Sequence, residues 1–179
     1  IRMCYDAIGN PTVDIVCDLS EPLDIPSESY FAVFSKFAVE HISYRKTKQL
    51  LSEIHRILKP NGKFVFIIPN TLEQMRWVLN RYDEDGTWDK DSSCCIFGDN
   101  DYPENTHRVS FFFSSIIRDL QETGFENILV IPFGELTTDM VIECTKPKEV
   151  KMIDKAKLMT TRQELFDKHY FHGGSKVGG

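Results

Sequence analysis

Two apolar runs near the end of the chain constrain its fold more than any other feature. "NILVIPF" (127–133) and "DMVIECT" (139–145) both read as strands, and only a few residues around Gly134 separate them. That connection is too short for a parallel crossover, so the two runs must form an antiparallel hairpin. Everything before them alternates strand with helix. "YFAVFSKF" (30–37) reads as a strand, and Leu50, Leu51, Ile54, Ile57 and Leu58 then form one apolar helical stripe behind Ser43 as N-cap. Pro60-Asn61-Gly62 ends that helix, and "KFVFIIP" (63–69) is apolar throughout, as a strand buried on both faces requires. The expected fold class is therefore α/β: a Rossmann-like, doubly wound, mostly parallel sheet with a C-terminal antiparallel hairpin.

The remaining elements fit that frame. "IRMCY" (1–5) and "VDIVCDL" (13–19) read as short strands on either side of a Gly9-Asn10-Pro11 turn. Thr71 to Gln74 has capping-box spacing ahead of Met75, Val78, Leu79 and Tyr82, which share a helical face. Periodicity then stops across 83–110, a polar stretch that nevertheless carries Trp88, Phe97, Tyr102 and His107; long segments of this kind serve as lids or binding loops. Ser115 to Thr123 forms a short helix stopped by Gly124. The chain divides into one domain over 1–147 and a C-terminal helix and flexible tail over 148–179, where His169 and His172 have HxxH spacing in a Gly-rich setting.

Composition narrows the function. A hydrophobic content of 41% suffices for a real core. The balance of 27 acidic against 21 basic residues gives a net charge of −6, with no Lys/Arg cluster to follow a phosphate backbone, so nucleic acid is not the expected partner. No apolar run reaches the roughly 18 to 20 residues of a membrane span. Five cysteines without a CxxC pair suit free thiols in a reducing, cytoplasmic setting, and the adjacent Cys94 and Cys95 lack a spaced partner for a metal. The chain opens on Ile1 inside an apolar run, so a segment upstream is expected.

Several stretches together resemble the class I S-adenosylmethionine-dependent methyltransferases, in particular their small single-domain branch: "YD" (5–6), "VDIVCDLSEPLDIP" (13–26), "AVEHI" (38–42), "EIHRILKPNGKFVFIIPN" (53–70), "YPENTHR" (102–108) and "LQETGFENI" (120–128). The resemblance covers about residues 4–145. It implies methyl transfer from S-adenosyl-L-methionine to a small-molecule acceptor, with no metal required.

The resemblance also distributes roles. Asp6, with neighbouring Ala7, matches the acidic end of the family's second strand that hydrogen-bonds the cofactor's ribose; a turn Asp is the plain alternative. Asp18 and Leu19 match the pair that meets the adenine. Ser35, Lys36 and Phe37 should border the methionine moiety and the transfer point, since ligands in open parallel sheets lie beyond the carboxyl ends of the strands. Glu40 and His41 come just after; His41 is a catalytic candidate that mainly shapes the corner. His107 is the better chemical candidate, an imidazole that could orient or deprotonate an acceptor hydroxyl or amine, with Tyr102 beside it as a substrate contact.

The departures matter as much. The family's first strand and glycine-rich loop are missing from the chain, Phe31 stands where an acidic residue is usual, and Phe37 stands where the close branch has histidine. A non-catalytic binding or scaffold protein on the same fold is the alternative these changes favour. A nicotinamide-dependent Rossmann oxidoreductase is a third reading, opposed by the terminal hairpin and the lack of a Tyr-Lys spacing. The sequence names neither the acceptor nor an oligomeric state.

Overall fold

The computed structural model describes residues 3–4, 14–86, 88–102, 104–134 and 137–149. The first strands are short: β1 (Met3–Cys4) pairs in parallel with β2 (Ile15–Val16). A loop follows to β3 (Tyr30–Lys36), a single 3-10 turn at Val39–His41, α1 (Tyr44–Ile57) and the long β4 (Leu58–Pro69). Then come α2 (Thr71–Asp85), α3 (Lys90–Phe97), α4 (Phe113–Glu122), β5 (Glu126–Phe133) and β6 (Asp139–Thr145). β3 to β6 form one sheet in the order β3-β4-β6-β5.

Strand direction in that sheet follows connection length. β3 and β4 are joined by a whole helix and run parallel, whereas β5 and β6 are joined by a short turn at Gly134 and run antiparallel. β6 lies between β5 and β4 and is antiparallel to both. Two of this sheet's three pairings are thus antiparallel, so among the described residues the sheet is mixed, not mostly parallel.

Alternation along β4 and β6 sorts side chains to the two faces. Phe64, Phe66 and Ile68 of β4, with Met140, Ile142 and Cys144 of β6, are buried against Leu50, Leu51 and Ile54 of α1 and Ile116, Ile117 and Leu120 of α4. Phe64 and Phe66 stack with ring centroids 4.3 Å apart, and burying each contributes about 1.5 to 3 kcal/mol. The opposite face is more open. Phe34 of β3 and Leu129 and Ile131 of β5 are exposed there.

Four local expectations are revised. Pro60-Asn61-Gly62 does not separate helix from strand: α1 already ends at Ile57, and the three residues loop out of β4, where the β3 register jumps from Tyr30↔Leu58 to Ala32↔Lys63. Asn61 adopts φ +61°, and a Cβ on Gly62 would meet the Lys59 carbonyl oxygen at 2.7 Å, so backbone shape, not helix termination, explains this tripeptide. The second strand contracts to Ile15–Val16. The aperiodic stretch 83–110 contains α3, started by Asp89, whose side chain accepts from the Ser92 backbone N–H at 2.9 Å. A short helix of low amphipathicity leaves little periodic trace in the sequence. Thr71 opens α2 without capping it; its hydroxyl accepts instead from the Phe111 backbone N–H at 3.1 Å.

The loop between β2 and β3 is fastened to α1. Arg56 donates to the carbonyls of Leu23 (2.9 Å) and Ile25 (2.6 Å) and pairs with Glu53 at 2.7 Å, while Glu53 accepts from the Leu23 N–H at 2.8 Å. Leu23 and Ile25 are thereby buried against Ile57.

Candidate active site

A cleft of about 210 Å3 opens where β3 and β4 end. Its lining includes Phe37, just past β3, and Pro69, the last residue of β4. Asp139 enters from the same end, because β6 runs antiparallel and Asp139 pairs with Pro69. The strand-to-helix corner after β3 supplies Glu40 and His41, and the segment after α3 supplies Gly98, Asp99, Asn105 and His107. The carboxyl edge of a parallel strand pair is where open α/β sheets place their ligands.

The corner is held by its apolar residues. Val39 and Ile42 are buried in the main core, which draws Glu40 inward between them. The Glu40 carbonyl accepts from the backbone N–H groups of Arg108 (2.8 Å) and Val109 (3.3 Å), and His41 Nδ1 lies 3.2 Å from the Thr106 carbonyl oxygen. His107 is fixed from its other side, its backbone N–H donating to the Phe97 carbonyl at 2.9 Å. Gly98, at φ +80°, permits that approach: a Cβ there would lie 2.4 Å from the Asn105 carbonyl oxygen. The imidazoles of His41 and His107 consequently face each other with ring centroids 5.2 Å apart.

The electrostatics are set by burial. Glu40 is 1% exposed, and among the described residues neither carboxylate oxygen has a hydrogen-bond partner. Desolvation pushes its pKa up to about 8, with the nearby Asp139 charge adding to the effect. Burial also raises Asp139 and lowers His41 and His107 below the ordinary imidazole value. Each imidazole's second shift comes from its surroundings: the Thr106 carbonyl opposes the lowering at His41, and the His41 ring adds to it at His107. Both rings are thus neutral near pH 7, each able to accept a proton or donate a lone pair. Burial holds the Cys95 thiol up at about 11, so it is not a thiolate nucleophile.

Of the residues marked from the sequence, the cleft brings together Phe37, the Glu40-His41 corner and His107. Phe37 is 38% exposed at φ +49°, a strained conformation for an aromatic residue and one that turns the chain sharply at the sheet edge. Ser35 and Lys36 end β3 without lining the cleft, and Lys36 Nζ sits 5.6 Å from the Phe37 ring centroid. Tyr102 is exposed and lies outside the lining. Asp18 is exposed just past β2, with Oδ1 accepting from the Ser20 N–H (2.8 Å) and hydroxyl (2.7 Å); Leu19 is half-buried against the core. Asp6 and Ala7, and the HxxH pair, lie outside the described residues.

One participant, Asp139, was not marked in the sequence, and Glu40 was marked only as half of the Glu40-His41 corner. Glu40 is adjacent to His41, yet its burial depends on Val39 and Ile42 being core anchors, which no local pattern announces. Asp139 sits at the start of a hairpin strand, where an acidic residue ordinarily reads as a turn residue.

Residues 2–66 match a family model described as a methyltransferase domain. The mitochondrial 2-methoxy-6-polyprenyl-1,4-benzoquinol methylase of Drosophila melanogaster is 29% identical over 84 residues, covering 46% of this chain and 27% of that protein. The chain thus matches about a quarter of that relative's length. Among solved structures, a Pyrococcus horikoshii protein superposes with a TM-score of 0.52 at 17% identity, covering 75% of this chain and 60% of the other. A SAM-dependent methyltransferase from Methanosarcina mazei gives 0.50 at 16% identity, with coverages of 75% and 67%. The likenesses to solved structures concern the fold, and residues 2–66 are similar to a methyltransferase domain.

Proposed function

We propose that the domain transfers a methyl group from S-adenosyl-L-methionine to a small-molecule acceptor whose reacting atom enters the cleft between Phe37 and His107. The observation that carries this reading is the position of two neutral, facing imidazoles at the carboxyl edge of β3 and β4. The cofactor supplies an activated methyl on a sulfonium. The chain's part is to align the acceptor for in-line attack and to receive its proton. His107 is the proton acceptor in this reading. His41 holds the ring opposite it, tied to Thr106, and Phe37 walls the transfer point. A cleft of about 210 Å3 suits the reacting end of a small acceptor.

For the cofactor, Asp18 offers the adenine amine a carboxylate of which only Oδ1 is engaged among the described residues, and Leu19 offers the ring an apolar edge. Asp6, with Ala7, is assigned to the ribose, and Ser35 and Lys36 to the methionine side. A binding or scaffold role on the same fold predicts no such site. Calorimetric titration of S-adenosylhomocysteine into the full-length protein separates the two. Micromolar binding that weakens at least tenfold in both Asp6→Ala and Asp18→Ala supports the enzyme; no binding to the unaltered protein overturns it.

A further inference from the structure

We propose that Glu40, His41 and His107 form a binding site for a divalent first-row transition metal ion of the Zn2+ class. One ligand atom from each residue lies within 4.8 Å of the other two; donors about 2.0 to 2.2 Å from a shared tetrahedral ion stand roughly 3.3 to 3.6 Å apart, so the side chains must draw together by about 1 Å. Small side-chain movements close the remainder.

Three independent features turn this proximity into a donor set. First, the Glu40 carboxylate is 1% exposed, lines the cleft and has no hydrogen-bond partner among the described residues. A buried carboxylate without a partner carries an uncompensated desolvation cost, and a cation beside it removes that cost. Second, each ring already has one hydrogen bond to a backbone carbonyl: His41 Nδ1 to Thr106, and His107 to Ile96. This is the outer arrangement that fixes tautomer and ring orientation in metal-ligating histidines and leaves the other nitrogen's lone pair for the ion. Third, His41 and His107 come from segments locked together by Arg108 and Val109 donating to the Glu40 carbonyl, so the donor atoms need no large rearrangement to converge.

Two imidazoles and a carboxylate favour Zn2+, Co2+ or Fe2+ over Mg2+ or Ca2+, which prefer all-oxygen ligands. Three protein ligands leave positions open toward the cleft, where Asp99, Asn105 and Asp139 stand. A hydroxyl-bearing acceptor or a water would occupy them and become more acidic on the ion. With the ion seated, His107 serves as a ligand, and the acidified acceptor gives its proton to water. The site is made by this chain's own side chains and does not depend on whether a methyl group is transferred.

Co2+ titration of the chelator-treated full-length protein, followed by visible absorption and then by Zn2+ displacement, tests the site. The expected result is one equivalent bound with an N/O-type spectrum, displaced by Zn2+. Affinity should fall at least about 100-fold in Glu40→Gln and in His107→Ala. It should stay unchanged in the Cys94→Ser/Cys95→Ser double variant and in His169→Ala. Glu40→Gln preserves side-chain shape, so a native circular dichroism spectrum in that variant separates ligand loss from misfolding. Absence of binding, a sulfur-to-metal charge-transfer band, or affinity that persists in folded Glu40→Gln would each overturn the proposal.

Discussion

His41 and His107 face each other 5.2 Å apart although one ends the turn after β3 and the other closes the segment after α3. Their meeting depends on backbone hydrogen bonds between the two segments, not on either side chain alone. His107→Ala should lower kcat for methyl transfer by about 10²- to 10⁴-fold, the range for losing a positioned proton acceptor, while leaving S-adenosylhomocysteine affinity within about twofold. Steady-state kinetics beside calorimetry check the split. Equal losses in both would point to a collapsed segment instead.

Glu40 makes stability depend on pH. Its folded pKa of about 8 lies above its unfolded value, so in the metal-free protein its contribution to stability is fully present below about pH 4.5 and declines as pH rises toward 8. Each unit of that span corresponds to about 1.4 kcal/mol. The lowered imidazoles of His41, His55 and His107 act in the opposite sense, contributing above about pH 6.5 and losing their contribution on acidification. Urea unfolding of wild type and Glu40→Gln from pH 5 to 8 in chelator isolates the carboxylate: the stability of wild type relative to the variant should fall steadily with pH. A pH-independent difference would mean that Glu40 is not held protonated.

Gly98 sets the position of His107. Gly98→Ala combines an unfavourable φ of +80° with a Cβ 2.4 Å from the Asn105 carbonyl oxygen and 3.1 Å from the His107 backbone nitrogen. The variant should lose more than about 1 kcal/mol of stability, and activity should fall further than that loss explains. Thermal melts with activity measured well below the transition test this. Gly86→Ala is the control: it also has positive φ but meets nothing within 4 Å, so it should carry the conformational cost alone.

Arg56 fastens the loop that carries Asp18 and Leu19. Arg56→Met leaves the Leu23 and Ile25 carbonyls without their donor and Glu53 without its pair, which should destabilise the fold by about 1 to 3 kcal/mol. Partial exposure of the pair keeps the ionic share of that small. Denaturant midpoints measure it. Arg56→Lys should recover only part, because one ammonium cannot serve both carbonyls and the carboxylate in the planar guanidinium geometry.

The sequence by itself determined whatever short-range geometry dictates. The short link at Gly134 required the β5–β6 hairpin, the apolar stripe of α1 required a helix packed on the sheet, and the unbroken run at 63–69 required a central strand; all three are in the structure. Phe37, His41 and His107 were also readable, since each stands at a strand end or in an aperiodic segment where chemistry concentrates. Tertiary structure alone decided the rest. That α3 interrupts the stretch 83–110, that Pro60-Asn61-Gly62 loops out of a strand, and that the main sheet is mixed follow from pairings between segments far apart in the chain. The isolation of the Glu40 carboxylate has the same origin. A glutamate beside a histidine is locally a polar, solvent-seeking pair; only the burial of Val39 and Ile42, and the Arg108 and Val109 backbone bonded to the Glu40 carbonyl, shield it from the water that would otherwise keep it an ordinary acid.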